Sequence, residues 1–588
     1  MARPMQRAGE LTRNLRYTAS FVARTLVEDP LWLAVQAARR APERLRRPLV
    51  RALGTAPAPS APHALGRMLA GDAAGAADEA ERLLARRDGR GLRVAAEVAV
   101  AVGRPELVDD VDAAGPARYR AAWLLGDVEA IGPDAPAGLR AQASELQPEP
   151  PPEPQHAAPG PRPGVTSGSA VGAPSDADRP SSVTVLHHLT NSLPHTQSGY
   201  TLRSHAILVA QRAHGLAASA TTRPGYPLTI GSLTARGTDV VDGVPYRRLI
   251  PDRAVSDATL RATQETDLLV EAAREAKADV LHTTTPSAVG TLARAAARQL
   301  GIPWVYEVRG LPEETWVAAH GTTAARDRAA ASGRRALMRA KETELALTAD
   351  AVVTLSGTMR DELVARGVPA DHITVVSNAV PDTLLTTQHP TPEAARATLG
   401  LPAGPAIGTV SSLVDYEGLE TVVRTVAALR ARGQDVTGLL VGDGVSRPGL
   451  ARLARELGVA DHVLLPGRVP PDVALTWLAA LDVVLVPRRD HQVTRLVTPL
   501  KPVEAMAVGR PVVASALPAL VEAVGGAGLH VDADDMEGWA ETVGSLLDDA
   551  GRRAELVELG RKVAAERTWV RNAETYLGVY RGCLGVAA

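Results

Sequence analysis

Residues 487–511 contain a dense group of side chains that could bind a phosphorylated ligand. Arg488, Arg489 and Arg495 lie in a predicted loop after an apolar run, and Lys501 begins a predicted helix with Glu504 one turn later. Cations that converge on a helix N-terminus suit a diphosphate. A carboxylate just beyond them suits sugar hydroxyls, which donate hydrogen bonds. The alternative is a surface ion pair beside an unrelated basic loop.

Lysine is rare in this chain, which has 60 Arg and only four Lys, at positions 277, 341, 501 and 562. Most of this bias, like the abundance of Ala and Gly, is typical of a GC-rich coding background. A lysine that persists in such a chain is a hint that arginine would not serve at its position. The rarity therefore favours a specific phosphate contact at Lys501.

Shorter motifs follow other predicted strands. Glu307 and Arg309 end one apolar run, and because unpaired burial is costly we expect either a cleft pair or a structural ion pair between domains. Gly199 opens a predicted helix and allows a close backbone approach to a ligand. Gly442 and Gly444 lie between a predicted strand and a helix. An ordinary turn is the alternative at each glycine.

The elements that would position these side chains begin at residue 182, where β-branched runs alternate with helix-like segments. This alternation is typical of parallel sheets covered on both faces. Ten strands exceed one open sheet, so we predict an α/β fold with two Rossmann-like domains, at 182–380 and 381–567, and a helix at 568–588 that packs back on the first. The ten predicted strands are 183–186, 278–282, 304–308, 351–355, 373–376, 406–410, 438–441, 462–465, 483–486 and 511–514.

The part of the chain before these domains has a different composition. Residues 1–147 show helical periodicity, and glycines at 71, 103 and 126 recur in similar contexts, which predicts either helical-hairpin repeats or a small helical bundle. Residues 148–181 are rich in proline and form a predicted linker. Residues 1–50 carry ten Arg against four acids, so they form a surface helix or a candidate contact for anionic lipid. Residues 1–147 as a whole are a candidate contact for an anionic membrane surface or a protein partner.

Composition excludes several classes of function. The net charge of −2 and the few aromatic residues argue against a nucleic-acid-binding protein. The single cysteine, Cys583, excludes an internal disulfide and a Cys-based zinc site. With no apolar run of transmembrane length and no signal peptide, we expect a cytoplasmic protein, with the inner face of the cell membrane as a candidate surface.

Taken in order, these motifs resemble glycosyltransferase family 4, whose members are retaining transferases with the GT-B fold. The resemblance covers roughly residues 182–565. Its marks are Ser-Gly at 198–199, Ser-Asn-Ala-Val at 377–380, Val-Gly-Asp-Gly at 441–444, Leu-Pro-Gly-Arg-Val at 465–469, and Glu-Ala-Met-Ala-x-Gly-x-Pro-Val-Val at 504–513. More narrowly, the stretches 185–194, 306–309, 415–419 and 497–502 are similar to a subgroup found with exosortase and exopolysaccharide systems.

The resemblance implies that the second domain binds a nucleotide-sugar donor. Glu504 would bind the ribose hydroxyls, the backbone of 467–469 would meet the base, and Gly199 would approach the diphosphate or the donor sugar. The residues implied at the donor site are Gly199, Ser412, Gly442, Gly444, Gly467, Arg468, Val469, Arg488, Arg489, Arg495, Lys501 and Glu504.

The sequence departs from the family pattern at four positions. Ser412 and Glu417 stand where the family usually places Arg and Lys on the diphosphate, Leu496 stands where it has a carboxylate, and Arg309 where it often has His. The cations at 488, 489, 495 and 501 lie on the opposite wall of the predicted cleft. We therefore hypothesise that the cationic role moved to that wall.

The implied reaction is hexosyl transfer with retention to a glycan, glycolipid or lipid-linked acceptor in cell-envelope or exopolysaccharide synthesis. No Asp-x-Asp motif ends a suitable strand, so we expect no metal and no cofactor. Glu307 and Arg309 would orient hydroxyls, and Lys501 would neutralise the leaving diphosphate. The alternatives are a nucleotide-sugar epimerase of the same fold and a non-catalytic nucleotide-sugar-binding scaffold.

Overall fold

The structure is a computed structural model that describes residues 2–86, 91–108, 111, 114–149 and 183–586. Almost all of the predicted linker at 148–181 lies outside these residues. The described part consists of a helical N-terminal region and two α/β units, each built on a largely parallel sheet. The predicted fold class is therefore confirmed.

The N-terminal region is helical throughout its described length. Gly71, Gly103 and Gly126, the three glycines of the predicted repeat, have φ values of 90°, 82° and 90° and lie within two residues of a helix end. Each supplies the left-handed conformation that stops a helix, which L side chains rarely adopt. The helices are α1 (Ala2–Glu28), α2 (Pro30–Arg40), α3 (Glu43–Gly54), α4 (Ala61–Ala70), α5 (Ala73–Leu84), α6 (Leu92–Ala101), α7 (Pro116–Leu125) and α8 (Ala137–Glu145).

The first sheet has eight strands in the order β3-β4-β2-β1-β5-β6-β7-β8. Its strands are β1 (Thr184–Leu189), β2 (Ala217–Thr222), β3 (Thr238–Val241), β4 (Val244–Arg248), β5 (Val280–Thr284), β6 (Trp304–Val308), β7 (Ala351–Thr354) and β8 (Ile373–Val375). All neighbours pair in parallel except β3 and β4, which form an antiparallel edge. The sequence did not predict β2, β3 or β4. Strand β2 is rich in Ala and Thr, β3 alternates between exposed and half-buried positions, and β4 between buried and half-buried ones.

Seven helices follow these strands and cover both faces of the first sheet. They are α9 (Gly199–Ala213), α10 (Ala258–Ala276), α11 (Ser287–Leu300), α12 (Pro312–Ala318), α13 (Thr323–Ala330), α14 (Gly333–Thr348) and α15 (Gly357–Ala365). Helices α9 and α11 begin at the carboxyl ends of parallel strands, where loops of this fold class bind ligands.

The second sheet has six parallel strands in the order β11-β10-β9-β12-β13-β14. Its strands are β9 (Ala406–Val410), β10 (Thr437–Val441), β11 (Val463–Gly467), β12 (Val483–Val486), β13 (Val512–Ser515) and β14 (Leu529–Val531), the last of which the sequence did not predict. The helices are α16 (Asp382–Thr386), α17 (Pro392–Leu399), α18 (Glu420–Ala431), α19 (Arg447–Glu456), α20 (Pro471–Ala479), α21 (Gln492–Leu496), α22 (Lys501–Ala507), α23 (Pro518–Val524), α24 (Met536–Asp548), α25 (Ala550–Ala565) and α26 (Trp569–Leu584).

The last helix, α26, packs on the first sheet rather than the second. Trp569, Tyr576 and Tyr580 are buried in a cluster with Val185 and Val305 of that sheet. A backbone bridge joins the chain at the start of α26 to the segment after β8. The chain therefore crosses between the two α/β units twice. Within the described residues, no helix is both long and apolar enough to cross a bilayer.

An arginine between two tryptophans docks the N-terminal region on the first α/β unit. The Arg334 guanidinium lies 4.2 Å from the ring centre of Trp123 and 4.7 Å from that of Trp316. Its Nη1 also donates to the carbonyl of Trp123 at 2.9 Å. Burial lowers the pKa of Arg334 to about 10, so the charge is present at neutral pH.

We predict that Arg334→Ala weakens this docking and lowers the free energy of unfolding by about 1–2 kcal/mol, because two cation–π contacts are lost. Limited proteolysis should then cut the region before residue 149 faster than in the unmodified protein. The exposed Arg328 provides the control, and Arg328→Ala should leave the digestion unchanged. Identical digestion rates for both variants would contradict this account of the interface.

Candidate active site between the two sheets

Loops at the carboxyl ends of both sheets meet in one cleft. Asn378, which follows β8, donates through Nδ2 to the carbonyl of Thr498, which follows β12, at 2.8 Å. Leu496 and Val497 pack on the hydrophobic core of the first unit. Leu496 stands where the family resemblance has a carboxylate, and in this structure it is an apolar contact between the two units.

A buried carboxylate with two cations lies on the second-unit wall of this cleft. Glu417 Oε1 accepts from Arg488 Nη2 at 2.9 Å, and Glu417 Oε2 lies 2.5 Å from Lys501 Nζ. Lys501 Nζ also donates to Ser411 Oγ at 2.7 Å. Burial alone would raise the pKa of Glu417, but Arg488 and Lys501 outweigh it and lower this pKa to about 2. The predicted cations therefore converge, but on a protein carboxylate.

The other two predicted cations also have acidic partners. Arg489 donates to Glu420 at 2.8 Å and to Asp415 at 3.2 Å. Arg495 pairs with Asp490 at 2.6 and 2.8 Å. Acids of the same loop, of the loop after β9 and of the first turn of α18 thus pair with these two arginines, which remain 37% and 47% exposed. Their role at a diphosphate stays a prediction.

Glu504 is the acidic side chain of this wall that remains available. It is half-buried on α22, one turn after Lys501, and within the described residues no hydrogen bond or ion pair reaches its carboxylate. Burial raises the pKa of Glu504, and the Lys501 charge opposes this shift. Such a carboxylate can accept hydrogen bonds from ligand hydroxyls without breaking a protein contact.

Two glycines after β10 allow its loop to pack on the loop after β9. A Cβ at Gly442, where φ is 137°, would lie 1.8 Å from the Ser411 carbonyl oxygen. A Cβ at Gly444 would lie 2.2 Å from the Leu413 carbonyl oxygen. On this side the two glycines approach protein backbone rather than a ligand. Ser412, between the two contacts, is exposed.

Two other predicted glycines have open space beside them. Nothing lies within 4 Å of a Cβ built at Gly199 or Gly467. Gly199 begins α9 behind the Ser198 cap, and Gly467 ends β11 with φ 86° and accepts from the Gly442 amide at 2.9 Å. Arg468 is exposed and Val469 half-buried beside them. A ligand can therefore approach the protein backbone at Gly199 and Gly467, whereas the loop after β9 covers the backbone at Gly442 and Gly444.

Glu307, at the end of β6, is fully buried and bound on both oxygens. Oε1 accepts from Arg203 at 3.0 Å and Tyr576 at 2.8 Å, and Oε2 accepts from Arg309 at 2.8 Å with His282 Nε2 at 3.1 Å. Burial would raise the pKa of Glu307, yet Arg309 and Arg203 hold it well below the ordinary range. The expectation that Glu307 orients substrate hydroxyls does not fit this arrangement, because its acceptor positions are occupied by protein.

Sequence reasoning missed Arg203, His282 and Tyr576 as partners of Glu307. Arg203 also donates to Asn378 Oδ1 at 2.8 Å, which links α9 to the crossing between the units. These residues are far apart in sequence, and only the order of strands and the return of α26 bring them together.

Arg309 connects this buried network to α9. Its Nη1 donates to Ser204 Oγ at 2.6 Å, and its guanidinium lies 5.4 Å from the ring centre of Tyr200. Its Nε is buried without a hydrogen-bond partner in the described residues. Burial opposes the charge, but Glu307 more than offsets it and raises the pKa of Arg309. Glu307 thus holds a permanent cation near the opening of α9.

Family models match both α/β units. Residues 198–379 match a model described as a glycosyl transferase 4-like domain, and residues 404–549 match one described as glycosyl transferases group 1. Together the two matches cover more than half of the chain. The chain belongs to the family 4 type of GT-B glycosyltransferases. The family predicted from the motifs is confirmed.

Curated relatives match this glycosyltransferase over part of its length. A D-inositol 3-phosphate glycosyltransferase of Corynebacterium urealyticum is 33% identical over 199 residues, which is 32% of this chain and 46% of the relative. One from Acidothermus cellulolyticus is 32% identical over 50% of this chain and 65% of the relative. A 2-deoxystreptamine glucosyltransferase of Streptomyces kanamyceticus is 32% identical over 30% of this chain and 45% of the relative. The chain thus spans about half the length of the relatives it matches.

Solved structures show the same fold. A sucrose-phosphate synthase from Thermosynechococcus elongatus superposes with a TM-score of 0.55 at 20% identity, covering 68% of this chain and 99% of that one. HepE from Anabaena, solved in complex with UDP, has a TM-score of 0.52 at 17% identity, covering 68% of this chain and 100% of that one. The N-terminal helical region lies outside both family-model matches.

The Glu417 pairing makes a prediction about stability and pH. Glu417→Gln leaves buried Arg488 and half-buried Lys501 without their carboxylate, so the free energy of unfolding at pH 7 should fall by about 3–5 kcal/mol. Because the folded pKa is about 2 and the unfolded one about 4.3, the stabilisation is present above pH ~4.3 and lost as pH falls toward 2.

The pH dependence of the free energy of unfolding can be measured by urea unfolding at several pH values, followed by circular dichroism. The difference between Glu417→Gln and the unmodified protein should shrink on acidification below pH ~4.3. Glu558, which pairs with Lys562 on the surface, gives the control: Glu558→Gln should unfold almost as the unmodified protein does at pH 7. A pH-independent effect of Glu417→Gln would refute the ion-pair account.

Proposed function

We propose that this glycosyltransferase moves a sugar, with retention of anomeric configuration, from a nucleotide-diphosphate sugar to a glycan, glycolipid or lipid-linked acceptor. The observation that carries the proposal is the Glu504 carboxylate, one helical turn after Lys501 at the carboxyl edge of the second sheet. In the part of the chain that the structure describes, no hydrogen bond or ion pair reaches it. A carboxylate beside an ammonium group suits a ribose joined to a diphosphate. The resemblance to the exopolysaccharide-associated subgroup supports a role in cell-envelope or exopolysaccharide synthesis.

The proposed donor site requires an exchange of partners at Lys501. Glu417 is held by both Arg488 and Lys501, so it keeps one cation when Lys501 turns to a phosphate oxygen. Lys501 is also the more accessible of the two, because its side chain retains 18% exposure against 9% for Arg488. The ammonium would then neutralise negative charge that develops on the leaving diphosphate.

The acceptor would approach from the first unit. Arg309 is buried against Ser204 and Tyr200 of α9. Gly199, which begins that helix, has open space beside it. We propose that Arg309 orients donor or acceptor oxygens while Glu307, buried behind it, positions Arg309. The leaving phosphate would take the acceptor proton on the same face of the sugar, with no metal. Closure of the two units would exclude water from this step.

A non-catalytic nucleotide-sugar-binding scaffold is the second candidate. The pairing of Arg488, Arg489, Arg495 and Lys501 with acids favours it, because a binding module does not need a free cation at a leaving group. A nucleotide-sugar epimerase of the same fold is separated from both by its products, since epimerisation consumes no acceptor. A sugar nucleotide that binds and turns over only with an acceptor would exclude these two alternatives.

Donor binding is tested by thermal shift with UDP, GDP and their sugars. One of them, at 100 times its dissociation constant, should stabilise the full chain by roughly 2.7 kcal/mol. UDP is the first nucleotide to test, because HepE was solved with it. The shift should persist in EDTA and be strongly reduced in Glu504→Gln, which cannot accept as a carboxylate.

Lysine variants test the partner exchange. Lys501→Ala should abolish transfer to an added acceptor, and Lys501→Arg should impair it, since a planar guanidinium reaches a phosphate oxygen differently. Lys562, paired with Glu558 on the surface, is the matched control, and Lys562→Arg should transfer normally. Full turnover by Lys501→Ala would sink the proposed role of this lysine.

A further inference from the structure

Helix α1, from the N-terminal region, lies over the ligand-binding edge of the first sheet. Asn14 Nδ2 donates to the carbonyls of Leu233 and Ala235 at 3.0 and 2.8 Å, in the segment that follows β2. Arg24 Nη1 donates to the carbonyl of Val255 at 2.9 Å, in the segment that follows β4. Because β1, β2 and β4 are parallel, these segments and Gly199 leave the same edge of the sheet.

Two close contacts fix α1 in this place. The Tyr17 hydroxyl would lie 2.3 Å from a Cβ at Gly225, so that position accepts only glycine while the helix is docked. Glu10 Oε1 accepts from the Gly237 amide at 3.0 Å. Helix α1 therefore belongs to the wall of the first unit, although it lies outside the segments that the family models match.

A cavity of about 1470 Å³ opens between α1, α10 and the β3–β4 edge; we call it the α1 cavity. It is larger than the roughly 300–1,000 Å³ of most small-ligand pockets, so it has room for a chain of several units. Arg248, in its lining, donates to Ser192 Oγ at 2.7 Å and to the Leu193 carbonyl at 3.0 Å. These residues lead into Gly199, and β4 lies two strands, about 10 Å, from β1.

The lining chemistry fits a polyhydroxylated ligand. Five arginines and five carboxylates line the α1 cavity, so its formal charge is balanced and a strongly anionic ligand gains no net attraction. Carboxylates accept and guanidinium groups donate hydrogen bonds, and sugar hydroxyls do both. Asp267 on α10 is one of these acceptors, and Arg13 on α1 is one of these donors. Two nitrogens of Arg13, Nε and Nη2, are buried without a hydrogen-bond partner in the described residues.

We propose that the α1 cavity binds the glycan chain of the acceptor, so that the N-terminal region selects the acceptor of this glycosyltransferase. The proposal rests on the proposed transferase function and adds the substrate class and the element that recognises it. The acceptor would extend from the reacting hydroxyl near Gly199, past Arg248, into the cavity. Residues outside the matched domains would then determine which glycan is extended.

Two tryptophan variants of α10, made in the full chain, test whether the α1 cavity binds a glycan. Thr263 lines the α1 cavity and is exposed, so Thr263→Trp fills space inside it. Thr259, one turn earlier and equally exposed, does not line the cavity, so Thr259→Trp is the matched control. Circular dichroism should show the same melting temperature for both variants, and Asp267→Ala provides a second, smaller change in the lining.

The probes are maltohexaose, mannohexaose and chitohexaose in saturation-transfer NMR. At least one should receive saturation from the unmodified protein and from Thr259→Trp, and lose it with Thr263→Trp and weaken with Asp267→Ala. No signal from any hexasaccharide, or an unchanged signal with Thr263→Trp, overturns the proposal. Binding of inorganic pyrophosphate alone, lost in Arg13→Gln, would make the cavity an anion site and also overturn it.

Measurements of donor binding distinguish a failure of the cavity assignment from a failure of the proposed transferase function. If UDP or GDP sugars stabilise the protein while the α1 cavity binds no hexasaccharide, only the cavity assignment fails. If no nucleotide sugar stabilises it, the proposed function itself fails, whatever the hexasaccharides do. Thr263→Trp should leave the thermal shift by the nucleotide sugar unchanged, since α10 packs within the first unit and Glu504 belongs to the second.

Discussion

A carboxylate buried in protein must be compensated by neighbouring cations, and this constraint shapes both walls of the cleft. Glu307 is surrounded by Arg203 and Arg309 in the first unit, and Glu417 by Arg488 and Lys501 in the second. Glu307 holds two buried arginines, whereas Glu417 holds buried Arg488 and half-buried Lys501. The cations of this site are therefore positioned by acids before any ligand arrives.

The same networks join segments that are distant in sequence. Arg203 connects α9 to Asn378 at the crossing between the units, Asn378 reaches Thr498 ahead of Lys501, and Tyr576 brings α26 to Glu307. A displacement of one unit would break the hydrogen bond from Asn378 to Thr498 and so disturb the segments that carry Arg203 and Lys501. The N-terminal region takes part as well, since α1 closes one side of the first sheet's ligand edge. The elements outside the matched domains thus bear directly on the site.

Much of the fold and part of the candidate site could be predicted from the sequence. The apolar strands of the second sheet, the family and the position of Lys501 and Glu504 on one helix follow from local patterns. The strands β2 to β4 were missed because Ala-rich and edge strands lack a continuous apolar run. The pairing of Arg489 and Arg495 with acids, and the burial of Glu307 behind Arg309, depend on side chains brought together by the fold. Counting cations in a loop does not reveal which acids neutralise them.

The central claim is that Lys501 exchanges Glu417 for the donor diphosphate while Glu504 binds the ribose. A structure of the full chain with UDP bound tests it most directly. The account predicts a phosphate oxygen within hydrogen-bond distance of Lys501 Nζ, ribose hydroxyls on Glu504, and Glu417 still paired with Arg488. UDP bound elsewhere, or bound in the cleft while Lys501 stays on Glu417 and Glu504 stays free, would contradict the account.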